Sequence, residues 1–567
     1  GWGGGFSCVV GNPPWERVKM QDKEFFEAYG RDDIVKARTA AIRRRMIEEL
    51  AGSIEGASLH AAYLNAMRAS DGIGKVLRES GRYPLTGQGD INTYSVFAET
   101  FRAIVGPQGA AGVITPTGLA TDKTTAPLFA DTLGSKRLLA FYDFENESKI
   151  FAGVHNQFRF ALTAVSGRRW RAERSRFAFY TRFVEDVPAR RFELTPDEVL
   201  AINPNTGTLP MFRTREDAAI TLGVYRRHPV LIRDAGQLNP WRLSLGRMLH
   251  MADDSGLFHQ SEWLTGAEFD GWSYHLASDE YRPLYEAKLL SHFDHRYSTY
   301  RDATHEQLNK GTLPRPTAEQ HDDPNLEPLA RYWVARIEVT KALAQRWGRD
   351  WLLGWRDITN ASNERTFVPS ALPTSAVGHV FPLAFPADPA HGPLLHAVWS
   401  SLVFDYIARQ KLSGTHMTYS VVEQLACPTP ATFAASTPWQ PDRSLADWVI
   451  PYVLELSYTS WRLQPYAQEM HDTGPPFRWD PERRALLRAD LDAAFLHVYG
   501  LTRPEAEHVL DAFPVVRKYE ERDHGEFRTK RLVLDAYDRM AAVTADGPAW
   551  TSLAPVPAGQ GTRHPTR

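Results

Sequence analysis

The chain has 567 residues, 43% of them hydrophobic, enough for roughly two to four packed domains at about 100–200 residues each. Its 65 basic and 68 acidic residues leave a net charge of −3, which excludes a uniformly basic nucleic-acid coat and makes any polyanion surface local. Cys8 and Cys427 are too few for a disulfide framework or a thiolate metal site, and no apolar run approaches the roughly 18 residues of a membrane span, so the composition reads as cytoplasmic with no membrane partner.

In chain order, GWGGG carries no signal core and no initiator Met, and a strand is expected within six residues; this start reads as that of a fragment or a processed chain. The strand is Phe6 to Val10, followed by Gly11, Asn12, Pro13, Pro14 and Trp15. A proline cannot donate to a sheet ladder, so Pro13 ends the strand, and each residue before a proline is held extended. The product is a stiff elbow at a strand's carboxyl end, presenting an amide, a carbonyl and a large ring. Residues 23 to 50 look helical and basic, 80–92 is a Gly-rich loop, and 93–105 has helical apolar spacing. A strand is expected near Gly112 to Thr115, and SKRLLAFYDFE and FRFALTAVSG read as two more. Strands and helices thus alternate to about residue 185, the pattern of an α/β sheet. From about 194 the sequence is richer in Trp, Tyr, His and Pro, and loops dominate to about 430. Residues 440 to 545 read as helices, with Asp480 capping one that has Pro481 at its first position. The Pro/Gly/Ala-rich tail is expected to be disordered.

The elbow suggests a chemistry. An NH2 group conjugated to a heteroaromatic ring is a poor nucleophile because its lone pair is delocalised. Two acceptors at its hydrogens, the Asn12 side-chain oxygen and the Pro13 carbonyl, would localise that pair, and Trp15 could stack on the ring. A base inside a duplex would have to flip out to reach them. Catalysis would then be positioning and electrostatics, with no covalent adduct. The competing structural reading is a strand-ending Pro-Pro loop with a buried Trp.

GGFSCVVGNPPWERVKMQDKEFF, RYPLTGQGDINTYSVFAETF, GPQGAAGVITPTGLATDKTT and LLAFYDFENESKIFAGVHNQFRFALTAVSG, in this order, resemble adenine-specific (N6) DNA methyltransferases. More narrowly the chain is similar to the large methylases of type IIG restriction–modification and of DISARM and BREX phage defence, from their motif IV onward. INPNTGTLPMFRTREDA, NPWRLSLGRMLHMADDSGLF, YRPLYEAKLLSHFDHR and PPFRWDPERRALLRADLDAAFLHVYG extend the resemblance over nearly the whole chain. It implies the C-terminal half of a Rossmann-like methyltransferase sheet (1–190), a mixed α+β target-recognition domain (191–435), a helical region (436–545) and the tail (546–567). It implies methyl transfer from S-adenosylmethionine to a flipped adenine in double-stranded DNA, with Asn12, Pro13, Pro14 and Trp15 as the catalytic motif. Phe151 is the candidate second stacking ring, although Phe158 and Phe160 lie near it. Gly11 and Asn12 would touch the donor. Asn92, Tyr94 and Asp122 could line the same cleft, with helix capping the alternative for Asn92 and Asp122.

The family's glycine-rich donor turn is not found on either side of the elbow. Most of the cofactor pocket is therefore expected on a missing amino-terminal half or a partner subunit, with other restriction or phage-defence subunits as further partners. For DNA contacts the sequence offers Arg168, Arg169, Arg171 and Arg174 in GRRWRAERSRF, with Arg176 and Arg182 beside them, and also Arg296, Arg365, Arg409 and Lys411. A charged edge strand is the alternative for the first group. His292 and His295 have near-helical spacing but no further ligand cluster, so no metal is expected. Glu286 and Lys288, with Asp279 upstream, resemble half of a Mg-dependent nuclease motif. A restriction endonuclease component, or a non-catalytic DNA-recognition subunit, therefore stays open beside the methyltransferase.

Overall fold

A strand forms over Phe6–Gly11, as its aromatic and β-branched content dictates, and the two prolines stop it. In the computed structural model, which describes residues 4–37, 40–156, 158–412, 414–544 and 547–567, this is β1 of a six-stranded sheet. The first three residues of GWGGG lie outside the described residues. The other strands are β2 (Val105–Pro116), β3 (Leu138–Glu145), β4 (Arg159–Ser166), β5 (Ser175–Thr181) and β6 (Phe192–Leu194), in the order β1-β2-β4-β3-β5-β6. β1 pairs parallel to β2 and β3 parallel to β5; β4 runs antiparallel to both β2 and β3. So β1, β2, β3 and β5 all point one way, and their carboxyl ends share one edge. β3 is buried along most of its length, as the near-continuous apolar run LLAFYDFE requires of a central strand. Phe144 stacks on its cross-strand partner Phe160 at 5.4 Å. The helical stretch expected over 23–50 is broken into Asp22–Ala28, Asp32–Val35 and Ala40–Leu50.

The chain divides into two compact units, 1–218 and 219–567. The first runs past the boundary expected at 190 because Phe192 of β6 packs on Phe177 and Phe179, Phe212 packs on Phe192, and the Leu209 amide donates to the Ala120 carbonyl. The second unit holds more regular structure than its weak periodicity suggests. Its strands are β7 (Leu243–Gly246), β8 (Glu268–Phe269), β9 (Tyr274–Leu276), β10 (Asp279–Tyr285), β11 (Trp333–Ala335), β12 (Trp351–Trp355), β13 (Pro369–Pro373), β14 (Ala376–Val377), β15 (Leu383–Pro386), β16 (Ser436–Thr437) and β17 (Gln440–Ser444). They form two small sheets around a shared apolar core, Leu284, Val334, Leu352 and Leu383 among it, plus a hairpin. The segments expected as a separate recognition domain and a separate helical region fall inside this one unit. Asp480 caps the helix Pro481–Val498, accepting from the Glu482 and Arg483 amides at 3.0 and 3.1 Å. Across both units the fold is mixed α/β. Among the described residues no helix is long and apolar enough to cross a membrane.

The tail is not a disordered appendage. Ser552 Oγ and the Leu553 amide donate to Asp490, the Gly559 amide to Glu455, and Arg563 bridges to Asp472 at 2.8 Å. Arg483 reaches back to the carbonyls of Val556 and Pro557. Composition misleads here because a Pro/Gly-rich segment leaves many backbone groups unpaired, and this one finds its partners on buried carboxylates and arginines. Burial pushes the Asp490 carboxyl up to about 6 even with these donors in place. Removing residues 551–567 strips them away and should cost at least about 3 kcal/mol of unfolding free energy, read by urea denaturation. An unchanged midpoint would show the tail to be ornamental.

Candidate active site

The elbow stands at the carboxyl edge of the six-stranded sheet, where the crevices of open α/β sheets take their ligands. Asn12 is exposed, Pro13 is buried and Trp15 is half-buried. Among the described residues no donor reaches the Pro13 carbonyl or the Asn12 amide oxygen. The next turn of chain is clamped. Thr93 Oγ1 donates to the Pro14 carbonyl at 2.6 Å and accepts from the Glu16 amide at 3.0 Å, while the Thr93 amide donates to the Glu16 carbonyl. Asn92 caps the helix Thr93–Ile104 through the Tyr94 amide, so capping is its role. Trp15 packs on the cluster of Tyr94, Ala98, Leu119 and Leu128, and its Nε1 has no acceptor among the described residues. Asp122 follows the short helix Gly118–Thr121. Its carboxyl is held above the usual range by desolvation, and the Tyr94 hydroxyl is raised by desolvation and by Asp122. The two groups converge over Gly118: a Cβ there would sit 2.3 Å from Asp122 Oδ2 and 3.3 Å from the Tyr94 hydroxyl.

Phe151 does come to the elbow. Its ring meets Trp15 edge-to-face at 5.8 Å and Phe160 at 4.9 Å. Two stacking contacts of about 3.5 Å each need rings about 7 Å apart and parallel, so a base fits between Trp15 and Phe151 only after the 146–154 loop shifts. Two residues that sequence reasoning passed over hold this geometry. Buried Asn146 accepts from the Phe151 amide at 2.9 Å and donates to the Phe151 and Val154 carbonyls at 3.0 and 2.9 Å. Buried Asp143 accepts from Thr117 Oγ1 at 2.6 Å and from the Tyr180 amide at 2.9 Å, and pairs with Arg159, tying together the ends of β2, β3, β4 and β5. The signal available was position: polar residues directly after or within the carboxyl end of an apolar strand. Arg159 and exposed Arg213 both lie over the Tyr180 ring, at 4.1 and 4.3 Å. Arg213 has no carboxylate partner among the described residues.

Gly11, expected beside the donor, stands close against Phe101. A Cβ there would meet the Phe101 ring at 2.9 Å, so packing against Phe101 accounts for the glycine.

The basic residues expected on DNA divide into three sets. Arg168, Arg169 and Arg171 are exposed with no carboxylate partner, but their loop is at the amino edge of the sheet: the Gly167 and Arg169 amides donate to the Gly109 and Pro107 carbonyls. β4 spans eight residues, which puts this loop about 24 Å from the elbow's edge. Arg174 is engaged with Glu193 and Glu198, and Arg182 with Glu145 and Glu147. The third set, Arg296, Arg365, Arg409 and Lys411, is engaged by burial and internal bonding. Arg296 donates to the carbonyls of His321, Asp323, Leu326 and Thr459. Arg365 and Arg409 share buried Asp405. Lys411 bonds the Gln424 carbonyl over the Tyr225 ring, where burial drives its ammonium far below the usual lysine range.

His292 Nε2–H donates to the Phe367 carbonyl at 2.9 Å, and burial holds its imidazole well below the usual histidine range; His295 meets Glu327 and Ser460 at 3.1 Å. Both are packing residues, and among the described residues no group of three His, Cys, Asp or Glu could hold a metal ion. Asp279 and Glu286 do not form a nuclease-like pair. They bracket β10 from opposite ends, on the order of 20 Å apart, and Glu286 is taken by Tyr300 and Lys288.

No known protein-family model matches the chain, and no curated protein does. Solved structures similar to it include the type IIG restriction endonuclease BpuSI, at 12% identity and a TM-score of 0.28 over 82% of this chain. The Type IIL restriction-modification enzyme MmeI in complex with DNA aligns at 9% identity and 0.34 over 94%. The ATP-dependent Type ISP restriction-modification enzyme LlaBIII bound to DNA aligns at 10% and 0.30 over 87%. The chain covers 52%, 57% and 30% of those three proteins' own lengths.

Proposed function

We propose that this chain is the catalytic and recognition half of a site-specific adenine N6 DNA methyltransferase of restriction–modification or phage defence. The observation that carries the reading is the elbow: two uncommitted oxygens, on Asn12 and Pro13, fixed by prolines and by Thr93 at the carboxyl end of a parallel strand, beside Trp15 and Phe151. Held between those oxygens, an exocyclic amine loses conjugation with its ring and gains a localised lone pair. Trp15 and, once its loop shifts, Phe151 supply the stacking faces for the extruded base. The four strands sharing one direction support a Rossmann-like half-sheet.

The donor this reading implies is S-adenosylmethionine, which supplies an electrophilic methyl group. Its pocket would come from beyond β1. Among the described residues β1 is the terminal strand of its sheet, with β2 on one side only, and its Phe6 and Val10 side chains are 43% and 79% exposed, so both its edge and one face are open to further structure. The decisive experiment mixes the chain with duplex DNA and labelled donor, alone and with a polypeptide completing the β1 edge, and digests the DNA to nucleosides. N6-methyladenine in the completed mixture only is expected. N4-methylcytosine would reassign the target base, and no methylation in either mixture would reject the reading.

Two further outcomes follow from the geometry. Asn146→Ala releases Phe151 and should lower turnover by roughly 10- to 100-fold while leaving duplex affinity in place. The Arg168–Arg171 loop, remote from the elbow, would serve flanking duplex rather than the flipped base. Replacing Arg168, Arg169 and Arg171 with alanine should leave the melting temperature and the target base unchanged and reduce the salt slope of DNA binding by about 2–3. An unchanged slope would remove the loop from the interface.

A further inference from the structure

The helical part of the second unit contains a cleft of about 320 Å³ that is separate from the elbow and plays no part in the reading above. One stripe of the helix Pro481–Val498 forms its floor, through Ala485, Arg488, Ala489 and Asp492. The helices Pro514–His524 and Arg528–Ala541 wall it with Val516, Glu520 and Leu532, and Arg365 and Leu402 close the far side.

Most of its charged groups are committed to one another. Arg528 makes a two-bond pair with Glu482, Glu520 accepts from the Thr529 amide and hydroxyl, and Asp492 accepts from the Leu402 amide at 2.7 Å. Arg365 is locked through Nε on Asp405 and through Nη2 on the Ser400 carbonyl, which leaves Nη1 unassigned. Arg488 is the exception. Its side chain is open to the cleft, and among the described residues it makes no hydrogen bond and no ion pair. Surrounding protein and the charge of Arg365 together pull its guanidinium below the usual arginine range. Asp492, pushed up to about 6 by burial, carries a weakened negative charge toward acid pH.

Arg365 meets Asp405 through Nε, and Asp492, Glu364 and Glu520 act on Arg488 only at longer range; an oxyanion between the two guanidinium groups would add charge-assisted, two-pronged hydrogen bonds that neither makes there and would offset their mutual repulsion. The walls add apolar surface from Leu402, Val516 and Leu532, and Glu364 also lines the cleft. The volume matches a mononucleotide, at the lower end of small-molecule sites. We propose that this cleft binds a small organic phosphate of mononucleotide size, with its phosphate between Arg488 and Arg365 Nη1 and its ring against the apolar wall.

The test is calorimetric titration of the full chain with uridine monophosphate, which has no adenine and so does not report on the elbow. Saturable binding of one equivalent is expected, weakened at least about tenfold in Arg488→Gln and unchanged in Arg168→Gln. Ribose 5-phosphate should retain part of the affinity and uridine should lose it. Because Arg488 has no partner to lose and a like charge to escape, Arg488→Gln should melt at the same temperature or higher. The proposal is overturned by no heat from either phosphate at millimolar concentration, by equal affinity in Arg488→Gln, by uridine binding as tightly as its monophosphate, or by a lower melting temperature in the variant.

Discussion

Asn12→Ala should lower methyl transfer by at least about 10³-fold without loosening the duplex, at the upper end of what removing one transition-state hydrogen-bond partner costs. The expectation rests on what Asn12 does not do. Its side chain is exposed and makes no bond within the described structure, so deleting it should change stability by no more than about 0.5 kcal/mol. All of the loss would therefore fall on the reacting amine. Alanine leaves one acceptor, the Pro13 carbonyl, and one acceptor cannot hold both hydrogens of an NH2 group against its pull toward planarity. Asn12→Asp keeps an acceptor in place and should retain more activity than alanine does. Single-turnover rates and duplex affinities measured on the completed enzyme separate the two effects. Methylation within tenfold of the parent in Asn12→Ala would end the elbow mechanism, whatever the fold around it.

The elbow was legible because prolines are legible. Pro13 and Pro14 constrain backbone shape by their own covalent structure, so four letters predict a strand end, an exposed amide and an unpaired carbonyl. The alternation of strands before residue 185 was readable for a similar reason, since runs such as LLAFYDFE can be buried on both faces only inside a sheet. What the sequence could not show was where polar side chains end up. Asn146 and Asp143 look like loop polarity, yet both are buried and organise the edge that carries Phe151. Arg168 and Arg296 look alike in sequence, and one is exposed while the other is enclosed by four carbonyls. The physical reason lies in the second unit's irregular backbone. Helices and sheets satisfy their own carbonyls, but loops do not, and a guanidinium with five donors is the side chain best suited to satisfy several at once. Arginines in a loop-rich, aromatic segment are thus ambiguous between a phosphate grip and an internal brace, and only burial separates the two.

That ambiguity makes the second large effect a sharp one. Asp405→Ala should cost about 3–5 kcal/mol, the range for breaking a buried ion pair from one side. Asp405 is fully buried and accepts from Arg365 Nε at 2.6 Å, from Arg409 Nε at 3.2 Å and from the Thr366 amide at 3.0 Å. Alanine strands two guanidinium groups and a backbone amide at once in a fully buried site. Asp405→Asn keeps one acceptor for the Thr366 amide and should fall between alanine and the parent. The variants also decide what Arg365 and Arg409 are for. As internal braces, they lose their anchor, the denaturation midpoint falls, and DNA affinity declines only as the folded fraction does. As DNA-reading groups restrained by Asp405, they would be released by its removal, and affinity for duplex would rise while the midpoint held. The first outcome is the one that Asp405's complete burial and three donors require.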